Sequence, residues 1–189
     1  MNKIFIDAGA NIGQSVDNFI KNWNDWEDYE IHSFECLPRL HDRFDRFKEN
    51  PKFTFHNEAV WIEDGTIKFY NGMGKWGIGS SLIKEKKTGG LDIDNPLTVP
   101  CIDISKWIQN NFSKDDYIIF KMDIEGGEYK TLDKLINDNT FNMVDELYID
   151  FHGSKVGKTK EDGIILVERM KKFSNLQVFD SSGRGLNFK

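Results

Sequence analysis

Short apolar runs alternate along the chain with segments in which apolar residues recur every three to four positions. Residues 4–6 form the first run, and Val16, Phe19 and Trp23 follow it at helical spacing. The same order of strand and helix returns toward the end of the chain. Predicted strands cover residues 4–6, 30–35, 53–60, 66–70, 97–102, 117–122, 144–151, 176–179 and 186–188, and predicted helices cover residues 12–23, 38–50, 104–112, 128–136 and 162–173.

This alternation predicts an α/β domain with a mostly parallel sheet and helices on both faces. An Asp-Gly turn joins residues 53–60 to residues 66–70 as a hairpin, and residues 176–179 with 186–188 predict an antiparallel hairpin at one edge. Ligands of such sheets bind beyond the carboxyl ends of the strands, beside the point where the strand order reverses. The residues directly after each strand are therefore the candidates for function.

Residues 71–95 interrupt the alternation. This segment is rich in Gly and Lys and shows no sustained period, which predicts a mobile loop over a substrate. Its Trp76 would either stack against a sugar ring or pin the loop to the body, and the sequence leaves both open. Since no repeat or linker is visible elsewhere, residues 1–189 are predicted to form a single domain.

The first strand ends in a glycine-rich turn that carries an acid. Asp7, Gly9, Asn11 and Gly13 give the spacing D-x-G-x-N-x-G. A dinucleotide turn carries a third glycine and presents a helix N-terminus to pyrophosphate, which an acid would repel. An acid suits a cationic ligand, and S-adenosylmethionine carries a sulfonium and an ammonium. The turn therefore predicts a site for S-adenosylmethionine, with tight strand–helix packing as the alternative.

Acids and a histidine follow three further strands. Glu35 ends the second strand, where a carboxylate can accept both ribose hydroxyls of an adenosyl group. Asp123 and Glu125 follow the most apolar strand, where acids are costly unless they bind a ligand or cap a helix. Asp150 and His152 follow the next strand. We expect Asp123 and His152 to lie over one crevice.

Six motifs in this order resemble the FkbM-type S-adenosylmethionine-dependent methyltransferases. The resemblance spans residues 4–153, and "KMDIEGGE" is its most specific block. It implies a class I methyltransferase sandwich, Rossmann-like, with a mostly parallel seven-stranded sheet and an antiparallel C-terminal hairpin. It also implies O-methylation of sugars, polyketides or related metabolites. The motifs are "IDAGANIGQS", "FECLP", "NEAVWIEDG", "GSSL", "FKMDIEGGE" and "LYIDFHG".

These motifs assign residues to the cofactor and to the acceptor. Asn57, Ala59 and Val60 are expected to flank the adenine, and Ser80 and Ser81 to lie near the cofactor or the acceptor. The residues expected to bind S-adenosylmethionine are Asp7, Gly9, Asn11, Gly13, Ser15, Glu35, Asn57, Ala59, Ser81 and Asp123, and those expected to contact the acceptor are Trp76, Ser80 and His152.

A sugar hydroxyl is a poor nucleophile until its proton is removed, so a base or a metal is needed. In one version His152 takes the proton while Asp123 and Glu125 orient the sugar. In the other, Asp123 with Glu125 or Asp150 holds Mg²⁺ or Mn²⁺, which acidifies the hydroxyl. The sequence leaves both versions open, with the metal favoured.

Composition and charge argue against some classes of partner. A net charge of −6 lacks the basic face that nucleic acids require, and no apolar stretch approaches the ~20 residues of a membrane span. Cys36 and Cys101 lie far apart and suit a reducing compartment. No secretory signal precedes Asp7, so a cytoplasmic location is expected.

The chain begins almost on its first strand, whereas relatives often carry upstream helices over the substrate. Contacts to the acceptor, a small molecule or an oligosaccharide, are then expected from residues 71–95, from another copy in a homo-oligomer, or from a larger glycan-building chain. Two rival functions are a nicotinamide oxidoreductase, against which the missing glycine and Asp7 argue, and a non-catalytic binding module.

Overall fold

The computed structural model describes residues 1–180. Their apolar runs form nine strands, and their amphipathic segments form four α-helices and several short 3₁₀ segments. The strands are β1 (Lys3–Ala8), β2 (Tyr29–Phe34), β3 (Phe53–His56), β4 (Ala59–Trp61), β5 (Gly65–Phe69), β6 (Leu97–Asp103), β7 (Tyr117–Met122), β8 (Glu146–Ile149) and β9 (Gln177–Asp180), and the α-helices are α1 (Gln14–Asn22), α2 (Ile104–Asn111), α3 (Glu128–Asn137) and α4 (Lys160–Met170).

Six strands form one sheet in the order β3-β2-β1-β7-β8-β9, and every neighbouring pair is parallel. β1 and β7 lie at its centre, and their middle residues are all apolar because both faces of the sheet are covered. One apolar core includes residues of α2, α3 and α4, a second includes residues of α1, and a third includes residues of β4 and β6. The predicted α/β fold with helices on both faces is confirmed.

The order of the strands reverses beside β1. The chain runs outward from β1 through β2 to β3, and later returns to place β7 on the other side of β1. This switch point opens a crevice at the carboxyl ends of β1 and β7. It places the turn after β1 opposite the turn after β7.

The prediction that residues 53–60 and 66–70 form a hairpin was wrong. The run divides into β3, which joins the main sheet, and β4, which belongs to a three-stranded sheet of order β4-β6-β5. β6 pairs parallel with β4 and antiparallel with β5. A two-residue turn permits a hairpin, but β6 takes the position between the two strands and pairs with both of them.

The remaining elements lie close to their predicted positions. Residues 38–47 are helical but of the 3₁₀ type. β9 is parallel to β8, and residues 186–188, the second strand of the predicted terminal hairpin, lie outside the described residues. Within residues 1–180, each helix is too short or too polar to cross a bilayer.

Candidate functional site

The turns that follow β1, β2, β7 and β8 meet at one edge of the sheet. The amide of Gly9 donates to the carbonyl of Phe34 at 3.1 Å, and the amide of Asp123 donates to the carbonyl of Ala8 at 3.1 Å. The amide of Asp150 donates to Met122 at 3.1 Å. These backbone bonds join the predicted site segments into one surface.

A pocket of about 200 Å³ opens at this edge. Its wall combines strand-end polar residues with apolar side chains, among them Phe34, Leu37, Val60, Leu82 and Ile124. The predicted site residues that line it are Gly9, Asn11, Glu35, Ala59, Ser80, Asp123 and Glu125.

The other predicted residues stand around this pocket and are not among the described residues that line it. Asn57 is exposed, while Glu58 beside it takes a place in the wall. Ser15 lies in the first turn of α1, and Gly13 caps that helix. The residues outside the lining are Asp7, Gly13, Ser15, Asn57, Trp76, Ser81, Asp150 and His152.

The turn after β1 needs its two glycines for packing. Gly9 and Gly13 have φ values of 76° and 81°, a conformation that side chains disfavour. A Cβ at Gly9 would overlap the carbonyl oxygen of Asp123, and one at Gly13 would lie 2.9 Å from the ring of the buried Phe47. Close packing therefore requires both glycines, and Gly9 contacts the pocket as well.

Glu35 is buried at the entrance to this turn. Its Oε2 accepts from the amide of Asn11 at 2.9 Å, and its Oε1 accepts from the amide of Leu37 at 2.8 Å. Burial raises the pKa of Glu35 to about 7, although both amides favour the charged form. A carboxylate has about four acceptor positions, so two remain for ligand hydroxyls.

Asp7 is fully buried, and its cationic partner is a residue of the same chain. The ammonium of Lys121 lies 3.0 Å from Oδ1 of Asp7 and donates to the carbonyl of Gly9 at 3.0 Å. Burial raises the pKa of Asp7, and the charge of Lys121 opposes this effect. From the sequence, Asp7 was predicted to pair with a cationic ligand. The single Lys in the otherwise apolar run "YIIFKM" was the feature of the sequence that could have indicated its actual partner.

His152 and Glu128 form a buried hydrogen-bonded pair. Nδ1 of His152 lies 3.0 Å from Oε1 of Glu128, which also accepts from the amides of Ile124 and Gly126. Glu128 is fully buried, so these bonds hold both the turn after β7 and the imidazole. Glu128 begins the predicted helix of residues 128–136, where the helix dipole favours an acid, so the sequence did not indicate its bond to His152.

Three carboxylates surround the other nitrogen of His152. Nε2 lies 3.6 Å from Asp150, 3.7 Å from Glu125 and 3.8 Å from Asp123. Burial alone lowers the pKa of His152, but Glu128 and the carboxylates outweigh it and raise the pKa above the usual value. The topology thus brings together the predicted catalytic residues Asp123, Glu125 and His152.

The predicted metal ligands differ in the ion pairs that their carboxylates already make. Oε2 of Glu125 lies 2.9 Å from the ammonium of Lys86 and 3.2 Å from that of Lys155. Three potential ligand atoms, one each from Asp123, Glu128 and His152, lie within 4.8 Å of one another. The trio could hold a cation, but Glu128 already accepts from two amides and the imidazole.

Trp76 is held against the body of the protein. Its carbonyl accepts from the side-chain amide of Asn11 at 3.0 Å. The guanidinium of Arg43 lies 4.1 Å from the ring centroid, and the ammonium of Lys75 lies 5.2 Å from it. Of the two alternatives for Trp76, these contacts favour a residue that pins the loop.

Comparison with known proteins identifies the family. The profile described as "Methyltransferase FkbM domain" matches residues 7–174. The chain belongs to the FkbM methyltransferase family. No curated protein matches the sequence. A solved structure described as methyltransferase FkbM from Methylobacillus flagellatus KT is similar at 16% identity, with a TM-score of 0.44.

That match covers 72% of this chain and 30% of the other, so this FkbM-family chain spans less than a third of that protein's length. Membership of the family implies S-adenosylmethionine as the methyl donor. The residues present fit this group: Glu35 keeps acceptor positions for ribose hydroxyls, and Ala59, Val60 and Leu82 offer an apolar wall to an adenine.

We expect the pH dependence of stability to differ between the wild type and Glu35→Gln. The pKa of Glu35 is about 7 in the folded protein against an ordinary value of 4.5, so ionisation of this carboxyl opposes folding. Its contribution to stability is complete below the ordinary value and is lost as the pH rises through the folded value. The difference between the ordinary and the folded pKa corresponds to roughly 3 kcal/mol in the free energy of unfolding.

Urea unfolding between about pH 5 and about pH 8 measures this effect. The free energy of unfolding of the wild type should fall relative to that of Glu35→Gln over this range. Glu49→Gln, at an exposed position, is the matched control and should follow the wild type. If the free energies of unfolding of the wild type and Glu35→Gln changed with pH in the same way, the expectation would be contradicted.

Proposed function

We propose that this FkbM-family chain is an S-adenosylmethionine-dependent O-methyltransferase whose acceptor is a hydroxyl of a sugar or glycan. The observation that carries the proposal is the His152–Glu128 pair, whose imidazole lies 3.8 Å from Asp123 in the wall of the pocket that we assign to the methyl donor. Carboxylates accept hydrogen bonds from hydroxyls, and Asp123 and Asp150 both face Nε2 of His152. A polyhydroxyl acceptor is the ligand that this arrangement suits.

The proposed roles follow from the contacts. Glu128 accepts the Nδ1 proton of His152 and fixes its tautomer, which leaves Nε2 to take the proton of an acceptor hydroxyl. A raised pKa makes the neutral imidazole of His152 a stronger base, and the reaction then requires a pH at which this imidazole has lost its second proton. Asp123 and Asp150 would orient the acceptor. When bound, S-adenosylmethionine supplies a methyl group on a sulfonium that departs readily, so alignment of the acceptor is the main task left to the protein.

Metal assistance is the second version of this mechanism. Mg²⁺ and Mn²⁺ prefer oxygen ligands, and the sequence offers Asp123, Glu125 and Asp150 for one of them. The two ammoniums on Glu125 argue against its use as a ligand, which leads us to propose His152 as the base.

The test is transfer of a labelled methyl group from S-adenosylmethionine to a panel of mono- and oligosaccharides. We expect transfer to at least one of them, and full turnover in the presence of EDTA. Loss of turnover in EDTA, restored by Mg²⁺ or Mn²⁺, would replace the base with a metal. Binding of S-adenosylmethionine without transfer to any acceptor would favour a non-catalytic module, and binding of NAD instead would favour an oxidoreductase.

The remaining assignments are proposals of the same kind. We infer a small-molecule or oligosaccharide acceptor rather than a nucleic acid, because the net charge is −6. We also propose that residues 1–189 act as a single domain in the cytoplasm, and that a second copy or a larger chain completes the acceptor site.

A further inference from the structure

Residues 79–87 are fastened to the segments that follow β7 and β8. The hydroxyl of Ser81 donates to the carbonyl of Glu125 at 2.7 Å, and the amide of Lys87 donates to the carbonyl of Lys155 at 2.7 Å. Gly79, Ser80 and Leu82 of this segment line the pocket. The wall of the pocket on this side is therefore a segment without regular secondary structure, and its position depends on such contacts.

Lys86 makes a buried contact between residues 79–87 and the turn after β7. Its side chain has no exposed surface, and its ammonium lies 2.9 Å from Oε2 of Glu125. The same ammonium donates to the carbonyl of Gly79. A buried ammonium is costly unless it is paired and hydrogen-bonded, so this side chain has both partners that its burial requires.

Glu125 is held in an unusual conformation at the other end of this contact. Its φ of 52° lies in the left-handed region, which costs a residue with a side chain roughly 1–2 kcal/mol. Lys155 contacts the same carboxylate oxygen at 3.2 Å. A strained residue whose carboxylate is shared by two ammoniums is suited to joining segments rather than to accepting a proton.

We propose that Lys86 is a positioning residue: its ammonium joins Glu125 to the carbonyl of Gly79 and so holds residues 79–86 as the wall of the cofactor pocket. The pair places pocket-lining residues from the loop against the side of the site that carries Asp123. This inference rests on the proposed function, because the ligand that benefits is S-adenosylmethionine. It also assigns Glu125 to the loop rather than to proton transfer or a metal.

The test compares Lys86→Met with Lys86→Arg and with Lys84→Met, a control at an exposed position of the same loop. Thermolysin cleavage within residues 71–95, followed by mass spectrometry, reports how firmly the loop is held. A lost charged hydrogen bond of this kind should raise the cleavage rate and the Kd for S-adenosylmethionine about tenfold in Lys86→Met. Lys86→Arg should recover most of the effect, and Lys84→Met should match the wild type.

Glu125→Gln provides a second variant, should Lys86→Met fail to fold. It should open the loop as well, and its effect on cleavage should be smaller in the Lys86→Met background than in the wild type, because both changes remove the Lys86–Glu125 contact and only the Lys155–Glu125 contact is left to lose. Wild-type cleavage in folded Lys86→Met, or equal effects of Lys86→Met and Lys84→Met, would overturn the proposal. Because cleavage is measured without cofactor, a chain that binds no S-adenosylmethionine would contradict the proposed function but leave the cleavage result valid.

Discussion

Replacing His152 with Ala is expected to lower the rate of methyl transfer by about 10²–10⁴-fold, the usual contribution of a general base. The Kd for S-adenosylmethionine should remain close to that of the wild type, because His152 does not line the pocket among the described residues. Single-turnover transfer of a labelled methyl group measures the first quantity, and calorimetry measures the second.

The double variant His152→Ala/Glu128→Gln checks that the two residues act as a unit. Glu128 is bonded to Nδ1 of His152, so the part of its effect on turnover that acts through the imidazole should disappear once the imidazole is absent. The part that acts through the amides of Ile124 and Gly126 should persist as a weaker affinity for S-adenosylmethionine. Wild-type turnover in His152→Ala would remove the base from the mechanism. Equal losses of turnover and cofactor affinity would instead indicate a damaged pocket.

Gly9→Ala is expected to lower the free energy of unfolding by roughly 3 kcal/mol, which combines the cost of a left-handed conformation with that of overpacking. The added Cβ would overlap the carbonyl oxygen of Asp123, so the turns after β1 and β7 must separate. Binding of S-adenosylmethionine should weaken as well, because both turns line the pocket. Urea unfolding and calorimetry measure the two effects.

Gly157→Ala is the matched control for this variant. Gly157 has a φ of 75°, almost that of Gly9, but a Cβ there meets no atom of residues 1–180 within 4 Å. Gly157→Ala should therefore lower the free energy of unfolding only by the cost of the left-handed conformation, about 1 kcal/mol. Equal losses in the two variants would show that the contact between the two turns contributes nothing.

Much of the local structure was predictable from the sequence. The apolar run of residues 117–122 indicated a strand covered on both faces, and it lies at the centre of the sheet. The positions after each strand indicated where a site would form, because parallel strands end at one edge. Asp123 and His152, 29 positions apart in the sequence, were expected over the same crevice and lie 3.8 Å apart.

Pairing of strands was not predictable in the same way. Residues 53–60 and 66–70 fit a hairpin in alternation and turn chemistry, yet β6 lies between β4 and β5. Hydrophobic period reports which face of a strand is covered, but it carries no information on which strand lies beside it. β6 follows β5 only after the long segment of residues 71–95, so the pairing joins segments that are remote in sequence.

The sequence by itself determined the α/β class, the strands and the edge of the sheet at which polar residues collect, since these follow from periodicity and local turns. Only the tertiary structure decided the partners of the charges: Lys121 for Asp7, Glu128 for His152, and Lys86 with Lys155 for Glu125. An ion pair in a buried site depends on distances of a few ångströms between segments remote in sequence. Local patterns do not specify those distances; the packing of the whole sheet does.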